Sequence, residues 1–89
     1  MRAVLTVIGK DKVGIIAGVS QKLAALDINI LDVSQTIMDQ YFTMMMVLEL
    51  TKETANFEEI RAELTKLGET LGVTISIQNE EIFNVMHRL

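Results

Sequence analysis

The spacing of apolar residues keeps changing period along this chain, and that change decides most of what it can fold into. Phe57, Ile60, Leu64, Leu67 and Leu71 step by three, four, three and four residues, which puts all five on one stripe of an α-helix. Directly afterwards Val73, Ile75 and Ile77 alternate with Thr74, Ser76 and Gln78, the period of a strand with one buried face. A helical stripe and a strand face of this kind each need a second layer to bury against. With 89 residues, the chain has material for a single core of this type.

The remaining segments read the same way. Arg2 to Ile8 is short, contains β-branched residues and is bounded by Gly9, which predicts a first strand. From Val13 to Leu26, the residues Ile16, Val19, Leu23 and Leu26 recur at three and four and predict a helix. Ile30 to Met38, entered through Asn29, alternates with Leu31, Val33 and Ile37 on one side and Asp32, Ser34 and Thr36 on the other. After the polar step Met38-Asp39-Gln40, the even positions Phe42, Met44, Met46, Leu48 and Leu50 are apolar, so a hairpin joins two strands. Asn56 followed by Glu59 is a helix start, and Gly72 is placed to stop that helix. Asn79 is placed to cap a short terminal helix carrying Ile82, Val85, Met86 and Leu89.

Strand, helix, strand, strand, helix, strand, with both crossovers right-handed, predicts an α+β fold. It is a ferredoxin-like βαββαβ sandwich, a four-stranded antiparallel sheet in order 4-1-3-2 with two helices on one face and a short C-terminal helix. Residues 1–79 form the domain and 80–89 a helical extension. The helices are expected over Leu5, Val7, Leu31, Val33, Met44, Met46, Ile75 and Ile77. The opposite face mixes Thr6, Asp32, Ser34, Thr43, Thr74 and Ser76 with Ile8, Met38, Met45 and Val47. It is either an ordinary solvated face or one whose apolar part is covered by the terminal helix or another subunit. The second strand is an edge without lysine or proline, the usual protections. A homodimer through the second strand and first helix is expected, against the alternative of a monomer whose edge twists away.

Composition removes several classes of function. The chain has no cysteine, hence no disulfide, no thiolate metal site and no cysteine nucleophile. Its net charge of -4 opposes attraction to phosphate backbones, and the predicted strands lack the aromatic platform of an RNA-binding sheet, so no nucleic acid partner is expected. The longest apolar run, Met44 to Leu48, falls far short of the ~20 residues of a membrane span. The opening residues do not read as a signal peptide, and a cytoplasmic protein with no membrane partner is expected. The single histidine, His87, has no catalytic company, and Glu58, Glu59 and Glu63 suit a helix start without a metal. Neither an enzyme nor a cofactor is expected.

The most informative local stretch is Gly9-Lys10-Asp11-Lys12-Val13-Gly14-Ile15-Ile16. Gly14 stands where the first helix begins, and without a Cβ it lets a ligand approach unpaired amides at the positive end of the helix dipole. Such a place suits a carboxylate or phosphate. The Gly9 to Gly14 spacing copies a phosphate-binding P-loop, but Ile15 and Ile16 stand where that motif needs lysine and a hydroxyl. Asp11 either caps the helix or meets a ligand ammonium. Asn29 either ends the helix-to-strand turn or offers its amide at the dimer seam. Amides for a carboxylate together with an amide or carboxylate for an amine make up the recognition chemistry of a free amino acid. A structural or protein-interaction module without any small ligand is the alternative.

The strand ending in Gly9, the turn Asp11-Lys12-Val13-Gly14-Ile15, then Ala17, Val19 and Leu23, and the strand start Asn29-Ile30 together resemble the ACT domain. Within that family the chain is most similar to small stand-alone and tandem proteins of the glycine-cleavage-system repressor group. The resemblance covers roughly Arg2 to Gln78. It implies a regulatory module that dimerises and binds small ligands, often amino acids, between the glycine turn of one subunit and the second strand of its neighbour. By position Asp11, Lys12, Val13, Gly14, Ile15, Asn29 and Ile30 match that site. The common turn has proline before the glycine where this chain has Val13, so ligand identity does not transfer. No catalytic or DNA-binding domain accompanies the module here, so the resemblance implies output through a separate protein partner.

Overall fold

A computed structural model describes residues 2–10, 14–50 and 56–80. The elements are β1 (Arg2–Gly9), α1 (Ile15–Ala25), β2 (Asn29–Met38), β3 (Tyr41–Glu49), α2 (Phe57–Leu71) and β4 (Thr74–Asn79). They form the expected sheet, ordered β2-β3-β1-β4 with every pairing antiparallel. Both helices lie on one face. The expected terminal helix falls almost wholly outside the described residues.

The core is the helix-side face of the central strands. Leu5 pairs with Met46 and Ile77, and Val7 with Met44 and Ile75, so each row places three apolar side chains under the helices. Ile60 and Leu64 of α2 close over them, and Asn56 caps that helix by accepting from the Glu59 N–H at 3.2 Å. Such a cap is worth about 1 kcal/mol. Gly72 ends α2 in the left-handed conformation, φ 74°.

Two expectations need correction. The buried stripe of α1 is Ile15, Val19 and Leu23, with Leu26 only partly buried and Ile16 exposed. Gly14 starts the helix in such a phase that Ile15 points inward, and steps of four then carry Val19 and Leu23 onto the same line. The second correction concerns β2. Leu31 and Val33 are each 41% exposed, not covered by the helices. α2 lies against β4 and packs on α1, and α1 approaches β2 only sparingly, although side chains of both helices join those of β1, β3 and β4 in the core. The register also slips between Ile30 and Asp32, leaving Leu31 in a bulge. Beyond it Val33 and Ile37 share the helix-side face with Met46 and Phe42 but overhang the edge of the helical layer.

The two helical glycines make contrasting predictions. A Cβ on Gly68 would lie 2.8 Å from the Val73 carbonyl oxygen, a backbone atom fixed by the turn into β4. Gly68→Ala is expected to lower the urea midpoint, although alanine is worth ~1 kcal/mol over glycine within a helix. A Cβ on Gly18 would meet the end of the flexible Leu71 side chain at 3.2 Å, so Gly18→Ala is expected to hold or raise the midpoint. Equal behaviour of the two variants would contradict the close approach of α2 to β4.

Candidate functional site

The turn from β1 into α1 is described up to Lys10 and again from Gly14; Asp11, Lys12 and Val13 lie outside the described residues. Gly14 occupies the N-cap of α1 at φ 77°, ψ -7°, the left-handed region. A side chain there would meet nothing within 4 Å, so the demand for glycine is conformational, a reason the sequence alone did not reveal. No side chain caps the helix at this position and no acidic residue stands in its first turn. Among the described residues, then, no acidic group faces the positive end of the α1 dipole. Ile15 contributes only backbone, because its side chain is 2% exposed and belongs to the core.

Beside this turn, the Lys10 ammonium lies 5.9 Å from the centre of the Tyr41 ring, within cation–π range. Tyr41 pairs with Met38 across the hairpin and stands on the open face of the sheet. It is an aromatic that the sequence reading left out of its account of that face, although its odd position in β3 marks it.

Asn29 and Ile30 open β2 at the other end of the sheet. Asn29 is exposed and pairs with Glu49, which pairs with Arg2; Ile30 is half-buried and packs on the core. Gly9, which leads into the glycine turn, pairs with Phe42, which pairs with Ile37. Seven residue steps separate Arg2 from Gly9 along β1, roughly 23 Å at the rise of a strand. Within one chain the two halves of the expected site do not meet.

A cleft of about 530 Å³ lies instead between the end of α1 and the start of α2, lined by Ala25, Leu26, Asn56, Glu59, Ile60, Ala62 and Glu63. None of the expected site residues lines it, and its polar groups have structural tasks. Asn56 caps α2, and Glu63 pairs with Lys22 across the two helices. The hydrogen bond and charge of Lys22 hold the Glu63 carboxyl below its ordinary pKa. Among the described residues no group of three or more His, Cys, Asp or Glu side chains could hold a metal, and no helix is long and apolar enough to cross a membrane.

The family model for the ACT domain matches residues 2–78. A UPF0237 protein of Listeria innocua is 67% identical over 89 residues, all of both chains. The solved structure of an ACT domain protein from Streptococcus pneumoniae shares 52% identity and a TM-score of 0.85, covering 93% of each chain. A candidate glycine cleavage system transcriptional repressor of known structure gives a TM-score of 0.75 at 21% identity, over 86% of this chain and 44% of that one. At that identity the likeness is one of fold.

Proposed function

Because the chain belongs to the ACT domain family, whose members are generally regulatory modules that bind small ligands, we propose that it is a non-catalytic sensor. It binds an amino acid at the interface of a homodimer and signals to a separate protein. The observation that carries this reading is the start of α1. It opens on a left-handed Gly14 that no side chain of the described residues caps, which suits first-turn amides that receive a carboxylate.

The separation of Gly14 from Asn29 supports a site shared by two chains. If β2 pairs antiparallel with β2 of a second copy about an axis through Ser34, with Leu31 bulged out of the ladder, Asn29 of that copy falls opposite Met38. Met38 neighbours Ile37, whose row runs through Phe42 to Gly9. The twofold thereby carries the amide of Asn29 to the end of the sheet where the glycine turn lies. Asp11, Lys12 and Val13 complete the surround in this reading, and Ile30 walls the strand side. The uncovered edge supports the same contact, since Leu31, Val33 and Ile37 on β2 and Ile16 on α1 are apolar and exposed.

A thermal-shift panel of the twenty amino acids tests the proposal. A ligand at a hundredfold excess over its Kd stabilises the folded protein by about 2.7 kcal/mol, a shift of roughly 10–20 °C for a domain of this size. One amino acid, or a chemically related few, is expected to give it. Gly14→Leu, which disfavours the left-handed backbone and fills the approach, is expected to cancel it. A panel without any shift overturns the amino-acid reading.

A further inference from the structure

β4 is an outer strand of the sheet, and among the described residues no strand pairs with its free side. Thr74-Ile75-Ser76-Ile77-Gln78-Asn79 holds no lysine, no proline and no charge, so the strand itself has none of the usual defences against pairing with another chain. The defence comes from α2, which runs back along that edge. At the entry to β4 the Val73 N–H donates to the Gly68 carbonyl oxygen at 2.9 Å, and a Cβ on Gly68 would lie 3.4 Å from the Ile75 nitrogen. Two turns earlier in α2, Arg61 Nη2 donates to the Ile77 carbonyl oxygen at 3.3 Å. Seven helical residues advance about 10 Å and four strand residues about 13 Å, so the two contacts follow one another down the same edge.

An acceptor reached from α2 in this way points away from β1. In an antiparallel ladder such outward residues alternate with those bonded to the neighbour, so the outward backbone groups of β4 fall at Ile75 and Ile77. Those are the groups a further strand would need. The guanidinium is held over them from two sides: Nη1 donates to Glu58 Oε1 at 2.8 Å, and the Phe57 ring centre lies 4.9 Å from the guanidinium carbon. We propose that Arg61 closes the β4 edge, and that by occupying the Ile77 carbonyl it keeps β4 from pairing antiparallel with β4 of a second copy of this chain. About a twofold at Ser76 the strand would set Ile75 against Ile77 of the copy, with no like charges to oppose the contact. β2 lacks such cover, since α1 approaches it only sparingly. The two edges of the sheet are therefore unequal, whatever β2 itself meets and whether or not a ligand binds.

Light scattering of Arg61 variants tests this. Arg61→Ala is expected at least to double the weight-average mass relative to the wild type at the same micromolar concentration. It should stay folded, because the Arg61 side chain is 41% exposed and alanine is the best helix former. Arg61→Gln keeps a polar side chain beside Phe57 but lacks the charged fork and its reach, and it is expected to associate in the same way, which separates an opened edge from a bared ring. Circular dichroism checks the fold, and Arg61→Gln carries the test should the alanine variant lose it. Adding Ser76→Lys, at an exposed position in the middle of β4, puts like charges across the pair and is expected to return either variant to the wild-type mass. Folded variants that keep the wild-type mass overturn the proposal. So does a larger mass that Ser76→Lys leaves in place, since that association would run through another surface.

Discussion

Phe42→Ala is expected to cost about 3–5 kcal/mol of folding stability, a large share of the ~5–15 kcal/mol available to a domain of this kind. Phe42 is 2% exposed and is among the largest fully buried side chains of the described residues. It stands one row in from the β2–β3 turn, opposite Gly9. A Cβ on Gly9 would fall 2.5 Å from the Val73 side chain, so that end of the sheet is packed closely and cannot easily collapse into a void. The ring belongs to the same buried cluster as Ile15, the first residue of α1. Removing it should therefore loosen the start of α1 as well as the core, and the amino-acid response should weaken along with the fold. Phe42→Leu, which keeps much of the volume, is expected to cost markedly less. Urea titration of both variants decides the matter: a loss below about 1.5 kcal/mol for the alanine variant would mean that this end of the sheet refills the space.

Where one side of an element meets the core and the other meets water, the sequence alone was enough. The α2 stripe, its Asn56 cap and its Gly72 stop, and the alternation of β3, all follow from the period of the apolar residues and from local backbone chemistry. The reading failed where two apolar residues compete for one place. Ile15 and Ile16 fit the helical pattern equally, and only the left-handed Gly14 before them sets which one turns inward. It failed again on β2, because alternation marks Leu31 and Val33 as apolar but says nothing of how far the helices reach across the sheet. The bulge at Leu31 left no signature in the residues around it. The candidate site was legible as two motifs, the glycine turn and the Asn29-Ile30 strand start. Their roughly 23 Å separation within a chain is a property of the register, and the proposed shared site accordingly requires a second copy.

That requirement makes Val33→Lys the most telling variant. Val33 sits next to the axis proposed for β2 pairing, so a lysine there lies diagonally across from its own mate on the same face, and each interface brings two like charges close together. Lysine on an edge strand is also the means by which soluble proteins prevent such pairing. The dimer Kd is expected to rise at least a hundredfold, about 2.7 kcal/mol, so that light scattering at micromolar protein moves from twice 10.0 kDa to 10.0 kDa. The chain should stay folded, because Val33 is already 41% exposed and leaves no cavity when replaced. With Asn29 of the second copy gone, the melting shift given by the amino acid should disappear although Gly14 is untouched. Ile8→Lys, a charge of the same size on the open face, is the matching control and should alter neither mass nor ligand response. A wild-type protein that is monomeric at micromolar concentration would remove the shared site altogether. A Val33→Lys protein that still dimerises and still answers the ligand would move the interface off β2, and with it the reason for pairing Gly14 with Asn29.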